Sequence, residues 1–137
     1  MASVDFTDWV APNLVLTLGG KTYTVAPPNV AESRLILALA VRSEIQLGLT
    51  KVAMPPELAA ALEHTSGQPL GEITLGDQYQ TLIDDGHAAP TIDRMAFYAM
   101  LYWARGKGRA DDLAQAMWSV AKGDADADDS PGEPDSR

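Results

Sequence analysis

Apolar and polar positions alternate near the N-terminus in the way that a β-hairpin requires. Three leucines occupy every second position of residues 14–18, with a valine and a threonine between them. A pair of glycines follows, and glycine tolerates the positive φ angles of a two-residue turn. The β-branched and aromatic run 22–25 forms the returning strand, and Pro27-Pro28 ends it because proline cannot donate to the ladder. The pattern predicts a hairpin over about residues 14–25.

Helical periodicity and capping residues predict five helices after the hairpin. The first begins with Asn29 and Glu32, which have the spacing of a capping box, and it runs to about Leu47 before a glycine. A proline pair opens the second helix, and Thr91, directly after Pro90, is predicted to cap the fourth. The approximate bounds are 29–47, 55–63, 77–85, 91–105 and 110–121.

The charge of the chain is concentrated at its C-terminal end. The 137 residues carry 19 acidic and 10 basic side chains, a net charge of -9, and segment 123–137 holds six of the acids and one base. This segment lacks large apolar residues, so it cannot bury enough surface to offset its ordering entropy. We therefore expect a mainly α fold: a small helical domain over residues 1–122 with the N-terminal hairpin, and a disordered acidic tail over 123–137.

Composition excludes several classes of function. An acidic chain is unsuited to nucleic acid or to an anionic membrane, both of which attract clustered Lys and Arg. Without cysteine there are no disulfides, thiol nucleophiles or Cys-ligated metals. The N-terminus has no signal-peptide pattern, and the longest apolar run, 35–41, is far shorter than the roughly 20 residues of a spanning helix. A cytoplasmic protein is the expectation.

The motifs that carry enzymatic chemistry are incomplete. The sequence Gly19-Gly20-Lys21-Thr22 has the end of a P-loop, but Val15 stands where the first glycine is needed and a strand follows. Neither His64 nor His87 has a ligand spacing, and Asp84-Asp85-Gly86-His87 is typical of a helix end. The acids of the tail do not follow the calcium-loop pattern. We expect no catalytic residues, no cofactor and no metal.

A short basic cluster interrupts the acidic background at Arg105, Lys107 and Arg109. One interpretation is a phosphate or RNA contact. The simpler one is a cationic helix C-terminus that offsets the macrodipole, with the intervening glycines forming a loop before the last helix. Attraction to the acidic tail is a third interpretation, and salt would screen it.

Two helices are apolar on more sides than one core face needs. In 91–105 a core stripe follows the helical period, while further large side chains lie opposite, and 35–41 surrounds the axis of the first helix in the same way. A domain of this size encloses two such helices with difficulty. Either both helices lie in the core, or part of their apolar surface binds a partner or a second copy of the chain. The candidate partner-binding residues are Leu37, Val41, Phe97, Tyr98, Leu101, Tyr102 and Trp118.

Several stretches of the sequence resemble a known protein family. They are 6–14, the hairpin with 19–23, 25–28, 69–76, and 90–100 with Trp103-Ala104-Arg105-Gly106. Together they resemble the tail assembly chaperones of long-tailed phages that infect actinobacteria. The resemblance covers roughly residues 6–118 and carries no catalytic motif.

The resemblance implies a non-enzymatic function. Such chaperones bind the long, apolar, helical tape measure protein in the host cytoplasm, keep it soluble, recruit tail tube protein and are absent from the mature virion. They often have a frameshifted longer form. We therefore expect the tape measure protein, the tail tube protein, the longer form and a homo-oligomer as partners, with no nucleic acid and no membrane. A structural virion protein of the tail or connector is the alternative, and a small enzyme or nucleic-acid module is a third hypothesis.

Overall fold

The computed structural model describes residues 3–63 and 67–119. The expected disordered tail 123–137 and His64 lie outside the described residues. A 3-10 helix, Phe6–Trp9, precedes strands β1 and β2 and six α-helices, and a π-helical segment closes the described chain. The elements are β1 Leu14–Leu18, β2 Lys21–Val25, α1 Val30–Gln46, α2 Pro56–Glu63, α3 Leu70–Leu75, α4 Asp77–Asp84, α5 Ala89–Arg105, α6 Lys107–Ala114 and the π-helical segment Gln115–Ser119.

The hairpin forms as the alternation predicts. β1 and β2 pair antiparallel in the register Leu14 to Val25, and Gly19 and Gly20 take φ angles of 62° and 82° in the turn. Leu14, Tyr23 and Val25 are buried, so one face of the hairpin packs on the helices and the other faces solvent. The mainly helical fold class with an N-terminal hairpin is confirmed.

The capping box of α1 is also present. The Asn29 side chain accepts from the Glu32 backbone at 2.8 Å, and the Glu32 carboxylate accepts from the Asn29 backbone at 2.9 Å. These two bonds satisfy amides that the first turn of a helix leaves unpaired. The N-terminus of α1 is therefore specified by local sequence.

Three details of the helix prediction are wrong. Thr91 does not cap α5, which begins at Ala89 with the proline in its first turn, where a missing N–H costs nothing. The predicted basic loop before the last helix is instead the first turn of α6, which begins at Lys107 directly after Gly106. Helix α3 has no counterpart in the prediction, since six residues that include a glycine and follow a proline carry too little periodic signal.

Two core clusters meet at α5. One joins the hairpin to α3, α4 and α5, and it includes Leu14, Tyr23 and Ile92. The other joins α1 to α5 and α6, and it includes Ile36, Met100 and Ala110. Because α5 contacts α1, α3, α4 and α6, the chain itself covers both apolar sides of this helix. The excess of apolar residues in α5 therefore serves a central position in the fold.

Close packing between short helices supports this arrangement. Thr74 of α3 is buried, and its hydroxyl donates to the Ala96 carbonyl of α5 at 2.9 Å. Gly71 lies so close to the Tyr79 ring that a Cβ atom would fall 2.2 Å from its Cδ1. The glycine that weakened the helical signal of α3 is what allows α4 to approach it.

Among residues 3–63 and 67–119, no helix combines the length and the apolar character that crossing a membrane requires.

Candidate partner-binding surfaces

One of the residues expected to bind a partner is part of the core. Leu101 is 1% exposed and belongs to the cluster between α1 and α5. In this conformation its side chain is not accessible, so Leu101 is removed from the candidate surface. The physical reason is that α1 and α6 cover the side of α5 that the sequence pattern left open.

The aromatic candidates are half-buried and mostly contact one another. The rings of Phe97 and Trp118 meet edge to face at 6.3 Å, and those of Tyr98 and Tyr102 stack at 6.4 Å. Tyr98 also donates a hydrogen bond to Asp111 of α6. Burial and this carboxylate raise the pKa of Tyr98 to about 12. These side chains therefore hold α6 and the following turn against α5.

Leu37 and Val41 lie one turn apart on α1, and both are half-buried. They share a face of the helix because residues four apart are neighbours on its surface. The structure thus divides the predicted set: Leu101 is core, the aromatic group joins α5 to α6, and this pair lies on α1.

Exposed apolar side chains are concentrated instead in a segment that the prediction did not include. Every residue from 3 to 13 is exposed, and we call this segment the N-terminal arm. The rings of Phe6 and Trp9 touch only edge to face at 5.2 Å and stay 62% and 66% exposed, and Val10 is 65% exposed. Its sequence signal is two aromatic residues before the first strand with no helical or strand period around them.

An open groove runs between the hairpin and α5. We call it the β1–α5 groove; its volume is about 230 Å³ and it is lined by Leu16, Thr91, Arg94, Met95, Tyr98 and Trp118. The Arg94 guanidinium carbon lies 5.6 Å from the centre of the Trp118 ring, a cation–π geometry. The groove is therefore apolar, with one cation beside it.

A second cavity lies between the first three helices. We call it the α1–α3 cleft; its volume is about 310 Å³ and it is lined by Leu39, Arg42, Ser43, Leu62, Gly67, Gln68, Leu70, Ile73 and Met100. Five of these side chains are large and apolar, and three are polar. Ser43 donates a weak hydrogen bond to the Met100 sulfur at 3.9 Å. The cleft has the character of a site for apolar groups with a polar rim.

The polar residues that could suggest catalysis form a hydrogen-bonded cluster between the hairpin and the end of α4. Asp85 accepts from Lys21 and from the Tyr23 hydroxyl, both at 2.6 Å, and the same hydroxyl lies 2.8 Å from His87 Nε2. Lys21 and Tyr23 hold the pKa of Asp85 below its usual value, and Asp85 raises the pKa of Tyr23 to about 12. These hydrogen bonds join β2 to the end of α4, so the cluster anchors the hairpin.

The three basic residues of the predicted cluster have different partners in the structure. Arg105, in the last turn of α5, pairs with Glu44 at 2.7 Å, and Lys107 pairs with Asp111 at 2.6 Å one turn further along α6. Arg109 is exposed and makes no ion pair within the described residues. Two of the three cations therefore bind the protein's own carboxylates, which favours a structural role over phosphate binding. Within the described ranges, no three acidic or histidine side chains are grouped as metal ligands would be.

Comparison with known proteins gives a family and no described relative. A family model with the description "Domain of unknown function (DUF7426)" matches residues 4–137. No curated protein and no solved structure matches the chain.

Proposed function

The chain belongs to the DUF7426 family, a domain of unknown function, and we propose that it is a phage tail assembly chaperone. In this proposal it acts without catalysis in the host bacterial cytoplasm. It binds the tape measure protein, keeps it soluble and helps to recruit tail tube protein. The α1–α3 cleft carries the proposal, because it offers apolar surface within a folded and acidic body.

The shape and lining of the cleft suit the side chains of an apolar helix. Leu39 and Met100 form buried parts of its wall, while Leu62, Leu70 and Ile73 are half-buried and reachable. A helix that lies in such a groove inserts residues spaced three and four apart. A tape measure protein, as the resemblance describes it, is long, apolar and helical, and would offer many such segments.

Further apolar side chains are exposed in the connection from α1 to α2. Leu47, Leu49 and Val52, in the connection from α1 to α2, are 51%, 45% and 67% exposed. Apolar side chains grouped in this way mark interaction surfaces more often than isolated ones do. They extend the area over which α1 and α2 could cover a partner.

The decisive experiment is co-expression with the tape measure protein encoded downstream. Ser43→Phe fills the cleft, and Ser33→Phe places the same side chain at an exposed position of α1. We expect the wild type and Ser33→Phe to keep the tape measure protein soluble and to co-purify with it, and Ser43→Phe to lose both properties while keeping its helical circular dichroism.

Charge reversal at the rim gives a second comparison that leaves the core untouched. Arg42→Glu changes the rim of the cleft, and Arg34→Glu makes the same change two turns earlier on α1, where the side chain is also exposed. Only Arg42→Glu should reduce the yield of the complex. If the wild type forms no complex, or if both members of each pair behave alike, the proposal is wrong.

The longer, frameshifted form is part of this proposal, and the fold favours one position for the shift. Ala110 of α6 is 0% exposed, and Asp111 accepts the hydrogen bond from Tyr98. A shift near Gly106-Lys107 would replace both residues and open the core. A slippery heptamer near Ala121-Lys122-Gly123 would leave the body intact, and the nucleotide sequence tests this directly.

The alternative, a structural virion protein, predicts that the protein is part of the mature particle. A chaperone should be absent from purified particles, whereas a tail or connector component should be present in fixed stoichiometry. Mass spectrometry of particles therefore separates the two functions.

A further inference from the structure

We propose that two copies of the chain associate by exchanging their N-terminal arms, each arm lying in the β1–α5 groove of the other copy. The inference does not rest on the proposed chaperone function. It accounts for two features of the same molecule: an arm with unburied aromatic rings and an apolar groove with no occupant among the described residues.

The arm has the composition of an interface segment. Phe6, Trp9 and Val10 stay 62%, 66% and 65% exposed, and within the described chain each of the two rings has only the other as an aromatic partner. Tryptophan and phenylalanine are enriched at the centres of interfaces, because they bury a large area with few rotatable bonds. Their exposure costs free energy that a partner surface recovers.

The arm does not occupy the groove of its own chain: every residue from 3 to 13 is exposed, and none of them lines the groove. Ala11 precedes Pro12, which disfavours a helical conformation at Ala11 and fixes φ at the proline. Residues 11–13 form neither helix, strand nor turn, and all are exposed. Because the arm stays outside its own groove and its connection to β1 is extended, the groove that receives the arm in this proposal is that of a second copy.

Charges on the arm and the groove are complementary. Asp8 is exposed and makes no ion pair within residues 3–63 and 67–119, whereas the carboxylate of Asp5 accepts two hydrogen bonds from Thr7. Arg94, beside the groove, has only the Trp118 ring as a described partner. An arm whose rings enter the groove would bring Asp8 close to this cation.

The area available fits a reversible dimer. Because Phe6 and Trp9 are each about two-thirds exposed, burying either removes roughly 100–150 Å². Reciprocal exchange buries four such rings, the exposed valines of both arms and the groove surfaces beneath them. The four rings contribute about 400–600 Å², and with the valines and the groove surfaces the interface stays at or below about 1,200 Å², the lower end of the range for specific interfaces. The dimer should therefore dissociate on dilution.

Charge reversal at positions 8 and 94 tests whether the arm binds a second copy of the chain. Asp8→Arg sets two cations against each other in a homodimer, and Arg94→Asp sets two anions against each other. In an equimolar mixture the two variants can form a heterodimer. The arm of the Asp8→Arg chain then meets the groove of the Arg94→Asp chain as a pair of opposite charge, and the unchanged Asp8 of the second chain meets the unchanged Arg94 of the first. One of the two contacts of the heterodimer then has the reversed pair and the other has the original pair. Association of the arm within one chain, or with an unrelated protein, would not respond to mixing.

The experiment is sedimentation velocity of the purified full chain over a concentration series at low salt. We expect the wild type to dimerise, Trp9→Ser and Val10→Ser to raise the dissociation constant at least about tenfold, and Val30→Ser to leave it unchanged. Val30 is 77% exposed on α1, outside both arm and groove, so it is the matched control for Val10. Each charge reversal alone should weaken the dimer, and mixing the two should restore it.

Three results would overturn the proposal: a wild type that remains monomeric at every concentration, a dimer that is indifferent to Trp9→Ser, or charge variants that do not recover on mixing. Circular dichroism and thermal unfolding of each variant distinguish loss of the dimer from loss of the fold.

Discussion

Arg105 forms two hydrogen bonds with Glu44: Nε donates to Oε2 at 3.0 Å, and Nη2 donates to Oε1 at 2.7 Å. The bonds join the last turn of α5 to the end of α1, and Glu44 is only 8% exposed. The carboxylate also raises the pKa of Arg105. The paired fork is the geometry in which a guanidinium and a carboxylate interact most strongly.

Replacement of Arg105 tests this contact. Arg105→Lys keeps the charge but cannot form both bonds, so we expect the free energy of unfolding to fall by about 1 kcal/mol, a modest figure because the arginine is partly exposed. Arg105→Ala leaves Glu44 unpaired and should cost more, about 1–3 kcal/mol. Urea unfolding measures both, with Arg109→Lys as the control at an exposed position. Equal effects at positions 105 and 109 would contradict the assignment.

The Asp85 cluster predicts a specific dependence of stability on pH. Lys21 and Tyr23 lower the pKa of Asp85 in the folded protein below its unfolded value of 3.8. Because the folded state binds this proton less readily, the contribution to stability is present above the unfolded pKa and is lost as pH falls through the folded pKa. Asp85→Asn should therefore be less stable than the wild type at neutral pH, and the difference should shrink in acid.

Urea midpoints at a series of pH values check the effect. The neighbouring Asp84→Asn is the control, since among the described residues the Asp84 side chain accepts from Gln80 alone, and an asparagine oxygen can do the same. A gap between Asp85→Asn and the wild type that stays constant into acid would show that the ion pair is not its source.

Two glycine substitutions should have opposite effects. Gly71→Ala places a methyl group 2.2 Å from the Tyr79 ring, and we expect a loss of about 1–3 kcal/mol from overpacking. Gly108 lies in α6, where a methyl group would meet nothing within 4 Å, so Gly108→Ala should gain about 0.5–1 kcal/mol from helix propensity. Thermal unfolding of both variants measures these effects, and Gly71→Ala should cost less in a Tyr79→Ala background than in the wild type.

Aspartate at position 101 tests whether α5 is covered by its own chain. Leu101→Asp introduces an unpaired charge into the core between α1 and α5, so it should unfold the domain or destabilise it by at least about 3 kcal/mol. Leu49→Asp, at a position that is 45% exposed, should have little effect. A folded Leu101→Asp protein with wild-type stability would mean that this side of α5 is open in solution.

Local sequence was sufficient to predict an element wherever the turn or the cap of that element is formed by residues of the same segment. The glycine pair and the alternating leucines specify the hairpin, and Asn29 with Glu32 specifies the start of α1, because turns and caps depend on residues only a few positions apart. Helix α3 could not be recognised, since its stability comes from Thr74 and the close approach of Tyr79. The start of α6 was misplaced for a related reason: glycine and basic residues are typical of loops, and the ion pair with Asp111 appears only once the helix exists.

The candidate surface was harder to predict than the fold. An apolar helix face looks the same in a sequence whether the chain covers it or a partner does, and for Leu101 the chain covers it. Helical or strand periodicity did not predict the N-terminal arm as a surface, because its aromatic residues belong to no amphipathic element. Only their exposure in the folded structure identifies them.

The sequence by itself determined the helical class, the hairpin, most helix bounds, the acidic charge and the lack of cysteine chemistry, because these follow from composition and from contacts a few residues apart. The tertiary structure decided which apolar residues are core. Helix α5 contributes to both core clusters, and only the packing of α1, α3, α4 and α6 against it determines which of its faces are closed to water. The tertiary structure likewise decided which apolar residues stay exposed, in the arm, the groove and the cleft.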